Sequence, residues 1–206
     1  MAKTVCEDWA NLLLNEKVKI YTGTDFDEEL DRVFTYNNFR VKANQLIEQT
    51  FAFGTGAFVE YLDSAGEVTI DFIRADMIYP LSWENGYITE CAFASDKRSG
   101  DNKQIYLQIH TLGEGGVYYI RNVLLDTESG KEIELEGVET EINTGSYDPL
   151  FQIITPNIAN NIDMDSPLGI SVYANAIHQL KSVDTIYDSY INEFDLGRKR
   201  LFIDVS

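Results

Sequence analysis

The chain has 206 residues, of which 44% are hydrophobic and 24% charged, and this composition supports a folded domain with its own core. Its 16 basic and 34 acidic residues give a formal net charge of -18, which disfavours tight nucleic-acid binding because phosphate contacts require Lys and Arg. No apolar run approaches the roughly 20 residues that span a bilayer. Cys6 and Cys91 have neither metal-ligand nor disulfide-framework spacing. A soluble protein of a reducing compartment is predicted.

Three helices are predicted in the N-terminal quarter of the chain. The apolar residues of the first follow helical spacing and are Val5, Trp9, Leu12 and Leu13. A short alternating stretch with Val18 and Ile20 separates it from a second helix, which begins at Asp25 or Asp27. The third helix begins at Phe39 and ends before Gly54-Thr55-Gly56, because glycine readily adopts the left-handed conformation that terminates helices.

From Ala57 the apolar period changes from helical to alternating, which indicates strands separated by polar turns. The predicted strands are Ala57–Leu62, Val68–Ile73, Met77–Tyr79, Tyr87–Ala94, Ile105–Leu112, Val117–Leu125 and Val138–Ile142. The polar segment from Asp96 to Lys103 is predicted to be a mobile loop. The fold class that follows is α+β, with a central, mostly antiparallel meandering sheet, the N-terminal helices packed on it and a long C-terminal helix.

The longest predicted helix extends from Pro167 to Asp195, with Ser166 as its N-cap. Its apolar residues recur at steps of three and four and form a stripe larger than the rest of the chain needs, which favours an oligomer interface. The candidate interface residues are Tyr173, Ile177, Leu180, Tyr187, Tyr190 and Phe194. A core helix lying flat on the sheet is the alternative. The compact basic cluster Arg198-Lys199-Arg200 and a strand-like sequence follow this helix.

The residue types needed for catalysis are sparse. His110 and His178 are the two histidines, and each is predicted to be structural or on the surface. Ser171 and His178 lie roughly 10 Å apart on one predicted helix, too far for a nucleophile and its base. The glycine-rich turns lack the Lys and the spacing of phosphate-binding loops. Asp163 and Asp165 could contribute to a cation site, but no further ligand has suitable spacing. We therefore expect no enzymatic activity, no cofactor and no metal.

Two parts of the sequence resemble one protein family. The first is Phe51–Ala57, which continues at Asp71–Trp83. The second is Ser166–Tyr173 together with the helix that follows it to Gly197. Both are similar to the portal proteins, also called minor capsid proteins, of siphophages that infect Gram-positive bacteria. The resemblance extends from Trp9 to Ile203.

This resemblance implies a subunit of a ring, dodecameric in the virion, at one vertex of the capsid. DNA would be packaged and ejected through the channel of this ring, and terminase, head–tail connector and scaffold proteins would be its partners, with no membrane involved. Assembly would take place in the host cytoplasm. The ATPase of such systems is the separate terminase, so the family implies no active site.

Members of this family are longer than 206 residues, so the resemblance implies that the chain is a fragment. Residues 1–165 would form the wing, and residues 166–206 would form the first stem helix and the start of the clip. The stripe residues would then contact neighbouring subunits, and Arg198, Lys199 and Arg200 would lie in the clip, near the DNA. The acidity of the chain is compatible with a channel that DNA passes without binding, and equally with a role in solubility alone.

A different class of protein also fits part of the composition. The 12 Tyr and 11 Phe are mixed with acidic residues on the predicted strands. Such a surface is typical of carbohydrate- or receptor-binding modules, although sheet and interface packing use aromatic residues more often. A binding module built on the central sheet is therefore the alternative prediction.

Overall fold

The computed structural model describes residues 2–15, 17–99, 102–135 and 137–197. The chain divides into two compact units, Met1–Val172 and Tyr173–Ser206. The first unit contains three helices and two β-sheets, and the second contains one long helix. Among the described helices, none is long and apolar enough to cross a membrane.

The three predicted N-terminal helices are confirmed. They are α1 (Ala2–Leu13), α2 (Asp27–Tyr36) and α3 (Phe39–Phe53). Helix α1 packs on α3, and α3 in turn packs on the sheet behind it. Gly54 terminates α3 in the left-handed conformation, with φ of 92°, as the sequence predicts.

Nine strands are found in the described part of the chain. They are β1 (Gly56–Leu62), β2 (Val68–Arg74), β3 (Ile78–Glu84), β4 (Tyr87–Ser99), β5 (Asn102–Leu112), β6 (Tyr118–Asp126), β7 (Glu132–Ile133), β8 (Glu141–Asn143) and β9 (Phe151–Ile154). All their pairings are antiparallel, which confirms the α+β class with an antiparallel meander. The strands are divided between two sheets: one has the order β2-β1-β9, and the other has the order β3-β4-β5-β6-β7 with β8 also paired to β6.

Two local predictions about strands are wrong. The segment from Asp96 to Lys103 is not a mobile loop, because the ladder between β4 and β5 continues to the pair Ser99 and Asn102. A backbone ladder does not require apolar side chains, and here the Lys97 ammonium lies 4.4 Å from the centre of the Tyr106 ring. The strand predicted at Val138–Ile142 is confined to Glu141–Asn143. Strands β7 and β9 were not predicted, because two and four residues are too few for a period to be recognised.

The two sheets enclose a core built from six buried residues: Ala57, Val59, Ile78, Cys91, Phe93 and Phe151. His110 lies fully buried beside them, edge-on to the rings of Phe93 at 5.5 Å and Phe151 at 5.4 Å. Neither imidazole nitrogen has a hydrogen-bond partner among the described residues. Burial lowers the pKa of His110 to about 4, so the side chain is neutral and acts as a core residue.

Residues 168–172 bind to the end of α3 and the start of β1. The amide of Gly169 donates to Thr55 Oγ1 at 3.0 Å, and the amide of Val172 donates to the carbonyl of Phe51 at 3.0 Å. A Cβ atom on Gly54 would overlap the carbonyl of Gly169, and a Cβ atom on Gly169 would overlap the carbonyl of Gly54. This contact of residues 168–172 with Gly54 and Thr55 is called the glycine junction below, and it allows two backbones to meet without side chains between them.

The glycine junction explains why the long helix starts later than predicted. Helix α4 comprises Ile177–Gly197, after a single 3₁₀ turn at Ala174–Ala176, and does not start at Pro167. In a helix from Pro167, the amide of Val172 would donate to the carbonyl of Leu168. That amide donates to Phe51 instead, and the Leu168 carbonyl accepts from the Asn160 side chain at 3.0 Å. The 21 residues of α4 extend over about 31 Å.

The close approach at the glycine junction can be tested with two alanine substitutions. Gly54→Ala should lower the free energy of unfolding by about 3 kcal/mol, because left-handed strain adds to steric overlap. Gly66→Ala is the matched control: its φ is +80° but no atom lies within 4 Å of the new Cβ, so about 1 kcal/mol is expected. Urea unfolding of both variants measures the difference. Equal losses would show that backbone strain alone accounts for the effect.

The burial of His110 predicts an acid-sensitive core. The stability of the native state should be unaffected by this residue above the unfolded pKa of 6.5 and should fall as the pH drops towards the native pKa of about 4. The complete loss is about 3 kcal/mol. Replacing His110 by Leu should flatten the pH dependence of the melting temperature in this range. The exposed His178→Leu is the control and should keep the wild-type profile; a profile unchanged in His110→Leu would contradict the prediction.

Candidate functional site

Helix α4 carries a continuous apolar stripe along one side. At about 100° per residue, seven of its large apolar residues fall within an arc of about 140°, and Ile177 and Leu196 lie outside this arc. This α4 stripe consists of Leu180, Val183, Ile186, Tyr187, Tyr190, Ile191 and Phe194. The charged residues of the helix lie outside this arc, so the helix is clearly amphipathic.

Six of the seven residues of the α4 stripe are exposed to solvent, and Leu180 is half-buried. No residue of α4 is buried, and the exposed fractions are 69% for Ile186, 63% for Tyr187 and 58% for Tyr190. The rings of Tyr190 and Phe194 contact each other, with their centres 4.8 Å apart. Contiguous apolar surface of this kind is unfavourable in water and is typical of sites where another protein binds. The arrangement therefore suits association and offers no chemistry.

Four of the six predicted interface residues lie on the α4 stripe: Leu180, Tyr187, Tyr190 and Phe194. Tyr173 precedes the helix, and Ile177 is its first residue, about 40° beyond the edge of the arc. The six predicted residues omit three members of the stripe, Val183, Ile186 and Ile191. Ile186 and Ile191 are each adjacent to a tyrosine of the stripe, so the helical period contained the signal for a wider stripe than the single row of residues that was predicted. The basic cluster, residues 198–200, lies outside the described residues.

The opposite side of α4 is mainly polar, and its hydroxyl groups donate hydrogen bonds to the backbone of the same helix. Ser182, Thr185 and Ser189 each donate to the carbonyl four residues earlier, at 2.9, 2.9 and 2.8 Å. Asp188 lies on the same side, and Asp184 lies at its margin, about 20° beyond the edge of the apolar arc. This face is therefore suited to remain in contact with water.

The residues considered for catalysis or metal binding have structural surroundings. The hydroxyl of Ser171 donates to the carbonyl of Phe51 at 3.3 Å, beside the glycine junction. Asp163 accepts the amide of Asp165 at 3.2 Å, so this pair forms a turn. Within the described ranges, no three His, Cys, Asp or Glu residues are arranged to hold a metal ion.

Many of the aromatic residues that suggested a sugar-binding face are used in packing. Phe34 of α2 stacks on Phe39 of α3 with 4.2 Å between ring centres. Phe39 also stacks on Phe58 of β1, and Phe58 meets Phe72 of β2 edge-on, both at 5.6 Å. These rings join helices to sheet and are therefore not arranged to bind a sugar.

The two sequence stretches that carry the family resemblance meet in space. Gly54 and Thr55 belong to the first stretch, and Gly169 and Val172 belong to the second. Together they form the glycine junction, although each alone is only a helix end or a loop. The resemblance therefore rests on one structural element rather than on two unrelated short motifs.

Comparison with known proteins agrees with this geometry. A search of curated proteins returned no match. A family model described as "Phage portal protein, SPP1 Gp6-like" matches residues 1–203, which include both units. Proteins of this family are structural components of phage capsids and are not enzymes. A match over nearly the whole chain shows that this protein belongs to the SPP1 Gp6-like family of phage portal proteins.

Proposed function

We propose that this chain is a ring-forming portal subunit in which α4 packs against α4 of neighbouring copies. The observation that supports this proposal is the exposed α4 stripe in a member of the portal family. Its apolar arc of about 140° is wider than the narrow seam that two paired helices share. A helix within a ring has a neighbour on each side, and contacts that repeat in this head-to-tail manner close into rings.

The charge of the chain supports a role as a conduit for DNA. When the α4 stripe is covered by neighbouring copies, the polar side of α4 stays in water. The charged residues of α4 all lie outside the stripe, and they are Asp184, Asp188, Glu193 and Asp195 against a single lysine, Lys181, in the described part of α4. An acidic face attracts few phosphates, because tight DNA binding depends on counterion release at Lys and Arg. DNA would therefore pass this face without adhering during packaging and ejection.

The proposal includes the positions of the parts within a portal. Residues 1–165 are the wing and residues 166–206 are the first stem helix and the start of the clip, with Arg198, Lys199 and Arg200 near the DNA. The structural unit that contains α4 begins at Tyr173, after the glycine junction. A dodecamer at the capsid vertex would present docking surfaces to terminase, head–tail connector and scaffold proteins. Ring images from full-length protein would test the subunit number.

A double substitution in the α4 stripe tests the role of the helix. Tyr187→Ser with Tyr190→Ser should abolish ring formation by the full-length protein, because two large apolar contacts are lost at every interface. The melting temperature of the present chain should not change, since both side chains are exposed. Electron micrographs and thermal unfolding measure the two effects.

The matched control for this test lies on the opposite side of α4. Ser182→Ala with Ser189→Ala changes two residues on the polar face and should leave ring formation intact. Unfolding of the present chain by the tyrosine substitutions would show instead that α4 belongs to the core. Rings that survive these substitutions would also contradict the proposal.

DNA affinity provides a second test. With a net charge of -18, the chain should bind duplex DNA more weakly than the roughly 100 μM that marks weak non-specific binding at physiological salt. Fluorescence anisotropy with a labelled duplex measures this affinity. Substituting Asp184 and Asp188 by Lys should produce measurable, salt-sensitive binding, because two cations replace two anions on the polar face of α4. Tight binding by the unmodified chain would argue against a non-adhesive conduit.

A further inference from the structure

The outer edge of β9 has backbone groups that no strand pairs with. The amide of Glu60 donates to the carbonyl of Leu150 at 2.9 Å, in register with the pairing of β1 and β9. Hydrogen-bonded pairs alternate along an antiparallel ladder, so the amides and carbonyls of Phe151 and Ile153 point away from β1. In the described part of the chain, only the Ile153 carbonyl has a partner there, the side chain of Gln152 at 3.0 Å.

Two other sheet edges of the protein are closed. At the edge of β2, the Asn37 side chain accepts the amide of Ile70 at 2.8 Å and donates to the carbonyl of Val68 at 2.9 Å. At the edge of β3, Pro80 has no amide hydrogen, and the ladder is irregular at Leu81. Such devices prevent unwanted strand addition. Strand β9 is short and lies between Pro149 and Pro156, and the Gln152 side chain occupies one of its edge carbonyls. In the described part of the chain, the amides of Phe151 and Ile153 and the Phe151 carbonyl stay open, so this edge can still receive a short strand.

A trough runs along this open edge, between β9 and the start of β4. Its volume is about 410 Å³, and its lining includes Tyr87, Ile88, Tyr118, Pro149 and Pro167. The lining residues, which all belong to the described part of the chain, are uncharged, although the protein has a net charge of -18. An uncharged surface with an exposed tyrosine, here Tyr87, is typical of the centre of protein interfaces.

The rim of this trough includes two acidic residues that adjoin lining residues in the sequence: Glu90 follows Thr89, and Asp148 precedes Pro149. Burial raises the pKa of Tyr118, and the nearby carboxylates of Glu90 and Asp148 raise it further. Both acids are close to a tyrosine that lines the trough but are not part of the lining themselves. The rim therefore favours an uncharged or apolar segment that carries flanking positive charge.

One segment of the same chain has these properties. Residues 18–22, with the sequence Val-Lys-Ile-Tyr-Thr, are rich in residues that favour strands, but they have no regular secondary structure. Tyr21 is 73% exposed and Ile20 is 44% exposed. Hydrogen bonds fix the two ends, from Val18 to Asn15 and from Thr22 to Asp27, and leave the middle outside any ladder. Lys17 and Lys19 supply the positive charge.

We propose that residues 18–22 of one copy add as a fourth strand to the free edge of β9 in a second copy. Main-chain hydrogen bonds would provide affinity, the trough would receive alternate side chains, and Lys17 or Lys19 would face the acidic rim. Each copy gives one strand and accepts one. Exchange between the same two copies would close a two-fold dimer, whereas giving to one neighbour and accepting from another is head-to-tail and propagates around a ring, which is the arrangement proposed here. This inference rests on the proposed ring function and adds a second contact that is independent of α4.

Disulfide trapping tests the strand pairing directly. Lys19→Cys, Ile20→Cys and Tyr21→Cys are each combined with Gln152→Cys in the same chain and oxidised. The side chains of successive strand residues point to opposite faces. Disulfide formation should therefore differ between Ile20→Cys on the one hand and Lys19→Cys and Tyr21→Cys on the other. The cysteine positions that face Gln152→Cys should produce a series of covalent oligomers, seen as a ladder on non-reducing gels. The native Cys6 and Cys91 are buried and should remain unreacted.

The control replaces Gln152→Cys by Thr69→Cys, on the β2 edge that Asn37 closes, and should give no ladder. A second variant, Ile20→Pro, removes an amide donor in a segment outside helices and strands. It should weaken self-association by about tenfold or more, measured by sedimentation, without changing the melting temperature. No ladder at any position, or equal ladders at all three, would overturn the proposed pairing.

The same measurements separate this inference from the proposed function. In one outcome, Tyr187→Ser with Tyr190→Ser abolishes association and the cysteine variants give no covalent oligomers. This result would support the role of α4 and overturn the strand exchange. In another outcome, covalent oligomers form at alternate cysteine positions and the tyrosine substitutions leave association unchanged. This result would support strand exchange and overturn the role of α4. A chain that neither associates nor gives a ladder would contradict both.

Discussion

The contact between the backbones of Gly54 and Gly169 is the constraint on which the first unit depends. At this contact α3 ends, β1 starts nearby, and residues 168–172 are bound. No side chain fits between the two backbone segments there. Long-range contacts of this kind must compensate for the entropy lost in closing a large loop. Here two amide hydrogen bonds and the proximity of β9 to β1 do so together.

Local signals in the sequence predicted most elements of the fold. Gly54 ends α3, and the turns at Asp63–Gly66 and Asn85–Gly86 separate strands where the polar and glycine residues indicate. The start of α4 was predicted wrongly, because Ser166 and Pro167 form a good local helix start, yet the amide of Val172 is engaged by the distant Phe51. A local rule cannot include a partner that the fold brings from far along the chain.

The candidate interface was predicted in part for a related reason. Helical spacing identified Tyr187, Tyr190 and Phe194, but the full width of the α4 stripe became clear only when the helix bounds were known. The open edge of β9 could not be predicted at all, because it depends on which strand β9 joins and on which edges Asn37 and Pro80 close. Sequence patterns indicate which faces are apolar, whereas the pairing of strands determines which backbone groups remain free.

The hydroxyl groups on the polar side of α4 also affect the shape of the helix. Ser182, Thr185 and Ser189 donate to carbonyls that also accept backbone amides, and hydroxyl bonds of this kind often bend a helix. A helix whose polar side is slightly longer curves with that side convex. The apolar side then becomes concave, so α4 can wrap gradually around a neighbouring helix over its length instead of touching it at a single crossing point.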